Sequence, residues 1–371
     1  MIEFNKPFVA TNLPNIKNLG YFSANGKFSK KCQQWLIKEL KCKEALLVHS
    51  CTAALEMCAL LLNIKEGDEI IMPSYTFVST ANAFVLRGGK PVFVDIDQDT
   101  CNIDPLKIKK AISKKTKAIV VVHYAGVSCD MDPILKIAKQ NKLYVIEDAA
   151  QAILSTYKGK PLGSIGDLAT LSFHETKNIH CGHGGALLIN NLKFIKRAKV
   201  IRDKGTNRDL FNQNMVKKYT WVDYGSSYGL SEINAAFLYS QLKQARKIIK
   251  KRVDIFNYYH EQLKSLEIKK IIKRPTVPKY TKHNGHMYYL LVKNNKRNNL
   301  IKYLKKKNIT SPFHYIPLHS SKFAKTKTKT RMFMRNTNYV SNNLTRLPIY
   351  MNLKDNDIKK IVNSISNFFI K

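Results

Sequence analysis

The chain has 371 residues, 44% of them apolar, and a formal net charge of +37. The length suits two domains, and the apolar fraction is that of an ordinary globular protein, which excludes a disordered or fibrous chain. Seven scattered cysteines without a CxxC pair favour a reducing compartment over a disulfide framework or a zinc site.

The positive charge is concentrated in the C-terminal third. Beyond residue 240 the only acids are Asp254, Glu261, Glu267, Asp355 and Asp357. The basic segments there, such as Lys325–Arg331, have no interleaved aromatic residues and no helix-turn-helix pattern. Lysine, asparagine and isoleucine are abundant throughout, as an AT-rich genome would produce, so we expect no nucleic-acid partner.

Neither a secretion signal nor a membrane span is expected. The first residues have no basic head followed by an apolar core. The most apolar long stretch, residues 45–64, contains His49 and Glu56 and fits a strand followed by a buried helix. We therefore expect a soluble, cytoplasmic protein.

In chain order, the first elements are an irregular arm, a helix, a strand and a second helix. Ser29 is predicted to cap the first helix, which runs to Leu40. The strand Glu44–Val48 is followed by small polar residues and a helix to Leu62. Free N–H groups at such a helix N-terminus can bind phosphate, although Ser and Thr also cap helices that bind nothing.

Further apolar runs alternate with helix-length segments. The predicted strands are Glu69–Met72, Lys90–Val94, Ala118–Val122, Leu143–Ile146, Leu168–Phe173 and Ala186–Ile189, and the helices between them end at Arg87, Ile112 and Gln140. This alternation predicts an α/β fold with a mostly parallel sheet covered by helices.

One lysine, Lys177, lies in the polar loop between the last two of these strands, before three glycines. A semi-buried lysine held by strands can lose its proton near neutral pH, as a Schiff-base enzyme requires. The alternative is a surface lysine in a hairpin loop, which would be the better interpretation of an isolated lysine.

The rest of the chain favours the first interpretation. In a parallel sheet, ligands bind at the carboxyl ends of the strands. The residues predicted there are Ser50, Cys51, Thr52, Tyr75, Phe77, Glu147, Asp148, Gln151, Ser172, His174 and Lys177. An aromatic ring, a carboxylate, hydroxyls and a lysine at one edge suit a planar, phosphorylated cofactor.

Five motifs, in order and spacing, resemble the DegT/DnrJ/StrS group of sugar aminotransferases: SCTAALEM, GDEIIMPSYTFVSTANAF, IEDAAQ, LSFHETKN and YGSSYGLSEINAA. The resemblance covers nearly the whole chain. It implies the aspartate-aminotransferase fold of pyridoxal-phosphate (PLP) enzymes, with a large cofactor-binding domain at 1–240 and a smaller C-terminal α+β domain at 241–371.

The same resemblance implies a role for each cofactor residue. Lys177 would form the Schiff base and shuttle the proton. Asp148 would pair with the pyridinium nitrogen, or else simply cap a helix; Gln151 would bind the ring hydroxyl. Phe77 would stack on the ring or pack in the core. The phosphate would be held by Thr52, Ser172 and the N–H of Ala53.

Two residues depart from the pattern of the group. Ser227 stands where relatives commonly have an asparagine that reaches the cofactor phosphate of the partner subunit. His183 stands where a glutamate is usual, in a loop that reads Gly-Glu-Gly-Gly in relatives. An imidazole would lower the pH at which the imine loses its proton; alternatively, residue 183 faces solvent and only shapes the loop.

The resemblance also implies the substrates. His314, Tyr315 and His319 match positions near the nucleotide-sugar site, although FHYIPLH could instead be a buried strand. The runs FHETKN, RDKGTNR and FHYIPLH are similar to members that make TDP-4-amino-4,6-dideoxy-D-galactose for enterobacterial common antigen, a surface polysaccharide like lipopolysaccharide.

We therefore expect a homodimeric aminotransferase that moves an amino group, from glutamate, to a TDP-4-keto-6-deoxyhexose. Two alternatives remain. In the sugar dehydratases of this fold a histidine replaces the Schiff-base lysine, so Lys177 speaks against that activity. A basic nucleic-acid-binding protein on a retired enzyme scaffold would be colourless and would bind DNA with a steep salt dependence.

Overall fold

The computed structural model describes residues 1–330 and 332–370; Arg331, at the end of a basic segment, and Lys371 lie outside the described residues. The strands are β1 (Glu44–Val48), β2 (Glu69–Pro73), β3 (Lys90–Val94), β4 (Thr116–Val122), β5 (Tyr144–Asp148), β6 (Thr156–Tyr157), β7 (Lys160–Pro161), β8 (Leu168–Ser172), β9 (Gly185–Ile189), β10 (Ile272–Lys273), β11 (Thr281–Lys282), β12 (Tyr288–Val292), β13 (Lys329–Thr330) and β14 (Leu344–Leu347).

The helices are α1 (Lys27–Leu40), α2 (Cys51–Leu61), α3 (Val78–Val85), α4 (Pro105–Ala111), α5 (Met131–Gln140), α6 (Ile195–Arg202), α7 (Arg208–Asn212), α8 (Glu232–Lys243), α9 (Ala245–Gln262), α10 (Lys264–Ile268), α11 (Arg297–Lys306), α12 (Lys322–Lys327), α13 (Arg335–Asn343) and α14 (Asp355–Ile370). In the described ranges, none of them is long and apolar enough to cross a bilayer.

The central sheet has the strand order β1-β9-β8-β5-β4-β2-β3-β13. Pairing is parallel from β8 to β13, and β9 runs antiparallel to both β8 and β1. Ile71 and Val121 pack in the core on one face of the sheet, and their neighbours Ile70 and Val120 pack in the core on the other. Burial on both faces explains the continuous apolar runs of these strands, and the predicted α/β fold is confirmed.

The C-terminal part forms a second, smaller sheet, β10-β12-β14, which is antiparallel and shares its own core with α9, α11 and α14. Contacts cross the predicted division of the chain in both directions. Strand β13 pairs with β3 of the central sheet, and Ile2 of the N-terminal arm pairs with Ile309. The boundary at residue 240 stays a prediction.

Helix α1 starts at a different residue from the predicted one, because of a tertiary contact. Helix α1 begins at Lys27 after Gly26, so Ser29 lies inside it and does not cap it. The cap comes from Glu232 of α8, whose carboxylate accepts the N–H groups of Phe28 at 2.7 Å and Ser29 at 2.9 Å. A side chain at Gly26 would collide with that carboxylate, at 2.5 Å from its Cδ. A distant acid therefore defines this start, which local spacing could not show.

Two predictions for the C-terminal part also differ. The apolar spacing after residue 244 predicts one helix over residues 245–266, but α9 ends at Gln262 and α10 follows as a separate short helix. Residues 313–317 form no strand; the chain there is irregular between Pro312 and Pro317, with Tyr315 in the left-handed region at φ 27°. Proline removes a backbone donor and restricts the residue before it, which works against a sheet ladder.

Candidate active site

The predicted cofactor residues meet at one edge of the central sheet. Strands β2, β4, β5 and β8 are parallel neighbours, so their carboxyl ends lie side by side. The side chains that stand on or just after these ends are Phe77, Asp148, Gln151, Ser172 and Lys177. The topology thus brings together residues that are up to 100 positions apart in the sequence.

Lys177 is held in a tight loop between β8 and β9. Its N–H donates to the carbonyl of His174 at 2.9 Å, and the N–H of Cys181 donates to the carbonyl of Phe173 at 2.9 Å, which closes the loop. The side chain is half-buried. Burial lowers the pKa of the amine below its usual value, and the negative charge of Asp148 only partly offsets this effect. The semi-buried lysine expected from the sequence is therefore present.

Close packing requires a glycine at residue 185, one of the three glycines after Lys177. A Cβ there would lie 2.4 Å from the carbonyl carbon of Ser50 and 2.5 Å from the nitrogen of Cys51. Only glycine allows β9 to pack this closely against the start of α2. Ser172 is the register partner of Gly185 on β8, so this contact also brings Ser172 to the N-terminus of α2.

Asp148 is a buried carboxylate with neutral partners. Its Oδ2 accepts a hydrogen bond from Thr80 at 2.7 Å, and its Oδ1 accepts one from the N–H of Ala150 at 3.2 Å. Burial raises the pKa of this carboxyl; the two hydrogen bonds and the charge of Lys177 act in the opposite direction. Turns and no helix follow it, so the helix-cap alternative is wrong. A cation placed beside Asp148 would stabilise its ionised form.

Gln151 is buried and oriented by two contacts. Its Oε1 accepts the N–H of Ala125 at 2.7 Å, and its Nε2 donates to the hydroxyl of Tyr315 at 3.1 Å. Ala125 has a positive φ of 57°, which its bond to Gln151 helps to hold. The amide therefore presents its NH2 group toward Tyr315.

The N-terminus of α2 supplies the groups expected to hold a phosphate. Thr52 Oγ1 lies 2.8 Å from the hydroxyl of Ser79, a residue that the sequence did not single out. The N–H of Ala53 donates to Ser50 Oγ at 3.0 Å, so it takes part in the helix cap. The first N–H groups of a helix have no intrahelical acceptor. The N–H groups of Cys51 and Thr52 are therefore better placed than that of Ala53 to bind an anion.

Phe77 is 57% exposed, which excludes the core-packing alternative. It stands at the start of α3, and its ring centroid lies 6.4 Å from that of Tyr315. An exposed aromatic ring at this edge of the sheet is available to stack on a planar ligand.

His314 and Tyr315 contact the site, but from an irregular segment. His314 is buried; its Nδ1 lies 2.8 Å from the hydroxyl of Tyr124, and its carbonyl accepts the hydroxyl of Tyr75 at 3.1 Å. Burial lowers the pKa of His314 well below its usual value. His319 lies farther along, with its Nδ1 2.7 Å from Ser74 Oγ.

Ser227 lies outside this cluster. It is exposed and lines a cavity of about 270 Å3 together with the cations Arg202, Lys204 and Arg208. Its backbone bridges to Asp203. No contact between residues of the described ranges brings Ser227 to Lys177, so its expected role would require a partner subunit.

His183 is exposed and lies beside one other imidazole. Its ring centroid lies 5.9 Å from that of His174, and its carbonyl accepts a hydrogen bond from Asn234 at 3.3 Å. The charges that shift the pKa of Lys177 come from Asp148 and other groups, not from His183. The geometry favours a loop-shaping role for residue 183.

Arg346 and Thr80 were not predicted. Arg346 lies on β14, and its positive charge further lowers the pKa of Lys177. Thr80 donates to Asp148 and itself lies 2.9 Å from the hydroxyl of Thr76. Both threonines belong to the motif GDEIIMPSYTFVSTANAF, which was the sequence signal for them; Thr76 precedes α3, so helical spacing does not explain the pair. No comparable local pattern marked Arg346.

These residues fit PLP. A buried carboxylate with only neutral hydrogen-bond partners at one end of the site matches a protonated ring nitrogen. Hydroxyls and a helix N-terminus at the other end match a phosphate. An amine of lowered pKa lies at the same edge. In residues 1–330 and 332–370, no cluster of His, Cys, Asp and Glu could hold a metal ion.

Comparison with known proteins agrees with this fit. The model of the DegT/DnrJ/EryC1/StrS aminotransferase family matches residues 8–366. The uncharacterised protein MJ1066 of Methanocaldococcus jannaschii is 40% identical over 331 residues, covering 87% of this chain and 85% of that protein. The spore coat polysaccharide biosynthesis protein SpsC of Bacillus subtilis is 35% identical over 333 residues, with the same coverage.

Among solved structures, NtdA from Bacillus subtilis, with bound cofactor PMP, superposes with a TM-score of 0.87 at 27% identity. The match covers 96% of this chain and 80% of NtdA. The family match spans nearly the whole chain and includes every motif discussed above. The chain therefore belongs to the DegT/DnrJ/EryC1/StrS aminotransferase family of PLP-dependent sugar aminotransferases.

Proposed function

We propose that this aminotransferase moves an amino group from L-glutamate to the 4-keto carbon of a TDP-4-keto-6-deoxyhexose. The product would be a TDP-4-amino-4,6-dideoxyhexose, with the galactose configuration. The observation that carries an aminotransferase reaction is the half-buried Lys177, with its lowered pKa, at the same sheet edge as Asp148. The motifs FHETKN, RDKGTNR and FHYIPLH support the choice of sugar.

Lys177 would perform the proton transfers. Burial lowers the pKa of Lys177, so its Nζ gives up its proton more readily than an exposed lysine and, once neutral, can take a proton from the Cα of the amino donor. When bound, PLP supplies the electron sink for the carbanion left at that carbon. A retained lysine at this position also favours amination over the dehydratase activity, in which a histidine replaces it.

Asp148 would keep a proton on the ring nitrogen of the cofactor. Its hydrogen bonds from Thr80 and Ala150 fix the carboxylate without supplying a competing positive charge. Gln151 would bind the ring hydroxyl, and Phe77 would cover one face of the ring. Thr52, Ser172 and the first N–H groups of α2 would hold the phosphate, with Ser79 orienting Thr52.

The site would be completed in a homodimer. The segment that contains Ser227 exposes several large apolar side chains: Tyr219, Trp221, Val222 and Tyr224. Such a patch on a chain of this charge favours contact with a second copy. Ser227 and the nearby cations would then face the cofactor phosphate or the nucleotide of the partner. We propose that the enzyme acts in the cytoplasm, with a nucleotide sugar as the acceptor and an amino acid as the donor.

A panel experiment tests the function. Protein purified with PLP is incubated with L-glutamate and, separately, TDP-, UDP- and GDP-linked 4-keto-6-deoxyhexoses. We expect amination of the TDP-linked sugar, with an axial amine at C4, as the galactose configuration requires, shown by NMR coupling constants. Turnover only of UDP- or GDP-linked sugars, or of 3-keto sugars, would contradict the proposed substrate while leaving the aminotransferase chemistry intact.

The name of the relative SpsC agrees with this context, since it assigns that protein to spore coat polysaccharide biosynthesis. We propose that the amino sugar made here likewise enters a surface polysaccharide, of which enterobacterial common antigen and lipopolysaccharide are examples. Loss of the amino sugar from purified cell-surface polysaccharide after deletion of the gene would support this proposal, and an unchanged sugar composition would count against it.

A further inference from the structure

Arg346 is a cation that no acid of the described chain neutralises. It lies on β14 opposite Tyr289, on the side of the small sheet that faces Tyr75 and Tyr124. Its Nη2 donates to the carbonyl of Phe313 at 2.9 Å, and its guanidinium lies 4.3 Å from the ring centroid of Phe4. Its Nε is buried and has no hydrogen-bond partner among the residues that the structure describes.

Two other partly buried guanidinium groups, by contrast, are paired with acids. Arg274 contacts Glu267 at 2.6 Å, and Arg197 contacts Asp223 at 2.6 Å. A half-buried cation without a counter-charge costs free energy, and burial accordingly lowers the pKa of Arg346. An anionic ligand that enters the site would remove this cost.

The charge of Arg346 acts on the reaction centre. It lowers the pKa of Lys177 and of His314, and it interacts with the hydroxyls of Tyr75 and Tyr315. Tyr315 is the residue that Gln151 contacts. The guanidinium approaches the candidate site from the small-sheet side, where its register partner Tyr289 packs against Tyr124 with ring centroids 5.9 Å apart.

We propose that Arg346 binds the α-carboxylate of the amino donor; this inference rests on the proposed aminotransferase function. The carboxylate of an amino acid is bonded to the carbon that loses the amino group, so its charge must lie close to Lys177. A nucleotide sugar carries its charge on the diphosphate, on the far side of the hexose ring from C4. The planar fork of arginine also matches a carboxylate in a bidentate manner.

The neutral contacts of Arg346 suit a site that accepts two substrates in turn. A carbonyl and an aromatic face hold the guanidinium when no carboxylate is present. Neither contact is an ion pair, so exchanging them for a carboxylate breaks no salt bridge. When the donor product leaves, the same contacts re-form, and the uncharged hexose can occupy the space.

Separate half-reactions test the inference. Single-turnover absorbance of the PLP-loaded enzyme with L-glutamate reports the donor step, and the reverse conversion with the amino sugar reports the sugar step. We expect Arg346→Gln to raise the apparent Kd for L-glutamate about 10- to 100-fold, because a charged hydrogen-bond pair is lost. The sugar step should change less than about twofold, and Arg346→Lys should be intermediate. L-Alanine, which has only the α-carboxylate, should suffer the same loss.

Arg297→Gln is the matched control. Arg297 also has a buried, unpartnered Nε and lies over the same Phe313 ring, at 5.7 Å, but its charge does not act on Lys177. The Arg297→Gln substitution removes one positive charge from the same region. Both half-reactions of this variant should stay within about twofold of wild type. An equal loss of both half-reactions in Arg346→Gln, or a loss with L-glutamate but not L-alanine, would overturn the inference.

A binding measurement separates this inference from the choice of sugar. Calorimetric titration of the PLP-loaded enzyme with 2-oxoglutarate requires no nucleotide sugar. Weaker binding in Arg346→Gln than in Arg297→Gln supports the carboxylate site even if every 4-keto sugar of the panel fails. Equal 2-oxoglutarate affinity in wild type and both variants overturns the carboxylate site even if the proposed sugar is aminated.

Discussion

The two sides of the active site are built differently. On the central-sheet side, Asp148, Ser172 and Lys177 stand on or just after the ends of adjacent strands. On the small-sheet side, His314 and Tyr315 lie in an irregular segment between two prolines, and Arg346 projects from a four-residue strand. The first side carries the groups that any PLP reaction needs, and the second carries the groups that we propose to contact the substrate.

This difference has a physical basis. Buried parallel strands are held on both faces and along both edges, so the groups at their ends can be positioned to a fraction of an ångström. An irregular segment is held by side-chain bonds, such as those from Tyr75 and Tyr124 to His314. Such a segment can change without disturbing the sheet. We therefore expect substitutions on the central-sheet side to abolish chemistry and those on the small-sheet side to change which substrate binds.

Lys177 should show the largest effect. Lys177→Ala and Lys177→Arg are expected to lose turnover entirely and to keep the fold, because neither supplies a neutral amine and the guanidinium stays charged. The measurement is steady-state turnover together with circular dichroism and thermal unfolding. Multiple turnover in either variant would remove Lys177 from the mechanism and would break the contrast between the two sides.

Asp148→Asn comes next. The amide keeps the shape of the side chain but cannot hold a positive charge on the ring nitrogen, so we expect kcat to fall about 100- to 1,000-fold, equivalent to roughly 3–4 kcal/mol of activation free energy. Thr80→Val is the companion variant, since it leaves the carboxylate but removes its 2.7 Å hydrogen bond. Its loss should be smaller. Equal activity of Asp148→Asn and wild type would rule out the pyridinium partner.

The central-sheet side of the active site could be predicted from the sequence. Strands Glu44–Val48 and Lys90–Val94 occur as predicted, and helix Met131–Gln140 ends where predicted, because apolar runs and amphipathic spacing are local signals. The parallel order of strand ends then follows from the fold, and with it the convergence of Asp148 and Lys177.

Features that depend on residues far apart in the sequence could not be predicted. Glu232 determines the start of α1 from 200 residues away, and no local pattern marks it. Arg346 belongs to a short strand whose side-chain alternation carries no sign of what lies opposite. Phe77 shows the intermediate case: its motif position was recognisable, but only its exposure decides between stacking and core packing.

A shared active site would require a second copy of the chain. Trp221 is 82% exposed in the segment that leads to Ser227. We expect wild type to sediment as a dimer at physiological salt, because surface repulsion is screened beyond about 8 Å while apolar contacts are not. Trp221→Glu should weaken association about 30-fold or more, as loss of an interface tryptophan commonly does, and activity should fall with dilution in parallel. A monomer that turns over substrate would contradict a shared site.

Asp95 links the two regions and should have a moderate effect on stability. It is buried after β3 and accepts the N–H groups of Asn336 at 3.0 Å and Thr337 at 2.8 Å, at the start of α13. Burial alone would raise its pKa, but these hydrogen bonds outweigh burial and lower it. We expect Asp95→Ala to cost about 1–3 kcal/mol of unfolding free energy at pH 7.

The pH dependence of that loss follows from the lowered pKa. A carboxyl whose folded pKa is depressed stabilises the fold fully above its unfolded pKa, about 3.9, and the contribution disappears as the pH falls through the folded value. Urea unfolding at pH 7 and pH 3 should therefore show a smaller difference between wild type and Asp95→Ala at pH 3. Asp104→Asn is the control, since Asp104 caps α4 locally and asparagine caps equally well. A difference that is constant with pH would mean that Asp95 acts through packing alone.

His183 should show the smallest effect, although its loop also holds Lys177. The sequence predicted that an imidazole in place of the usual glutamate lowers the pH at which the cofactor band shifts. In the structure the side chain is exposed, faces His174, and is absent from the charges that move the pKa of Lys177. Because solvent screens an exposed charge, we expect spectral pH titrations of wild type and His183→Glu to differ by less than about 0.3 pH unit. Activity should be kept. A midpoint at least one unit higher in His183→Glu would show that the charge reaches the imine, and the electrostatic interpretation would then replace the loop-shaping one.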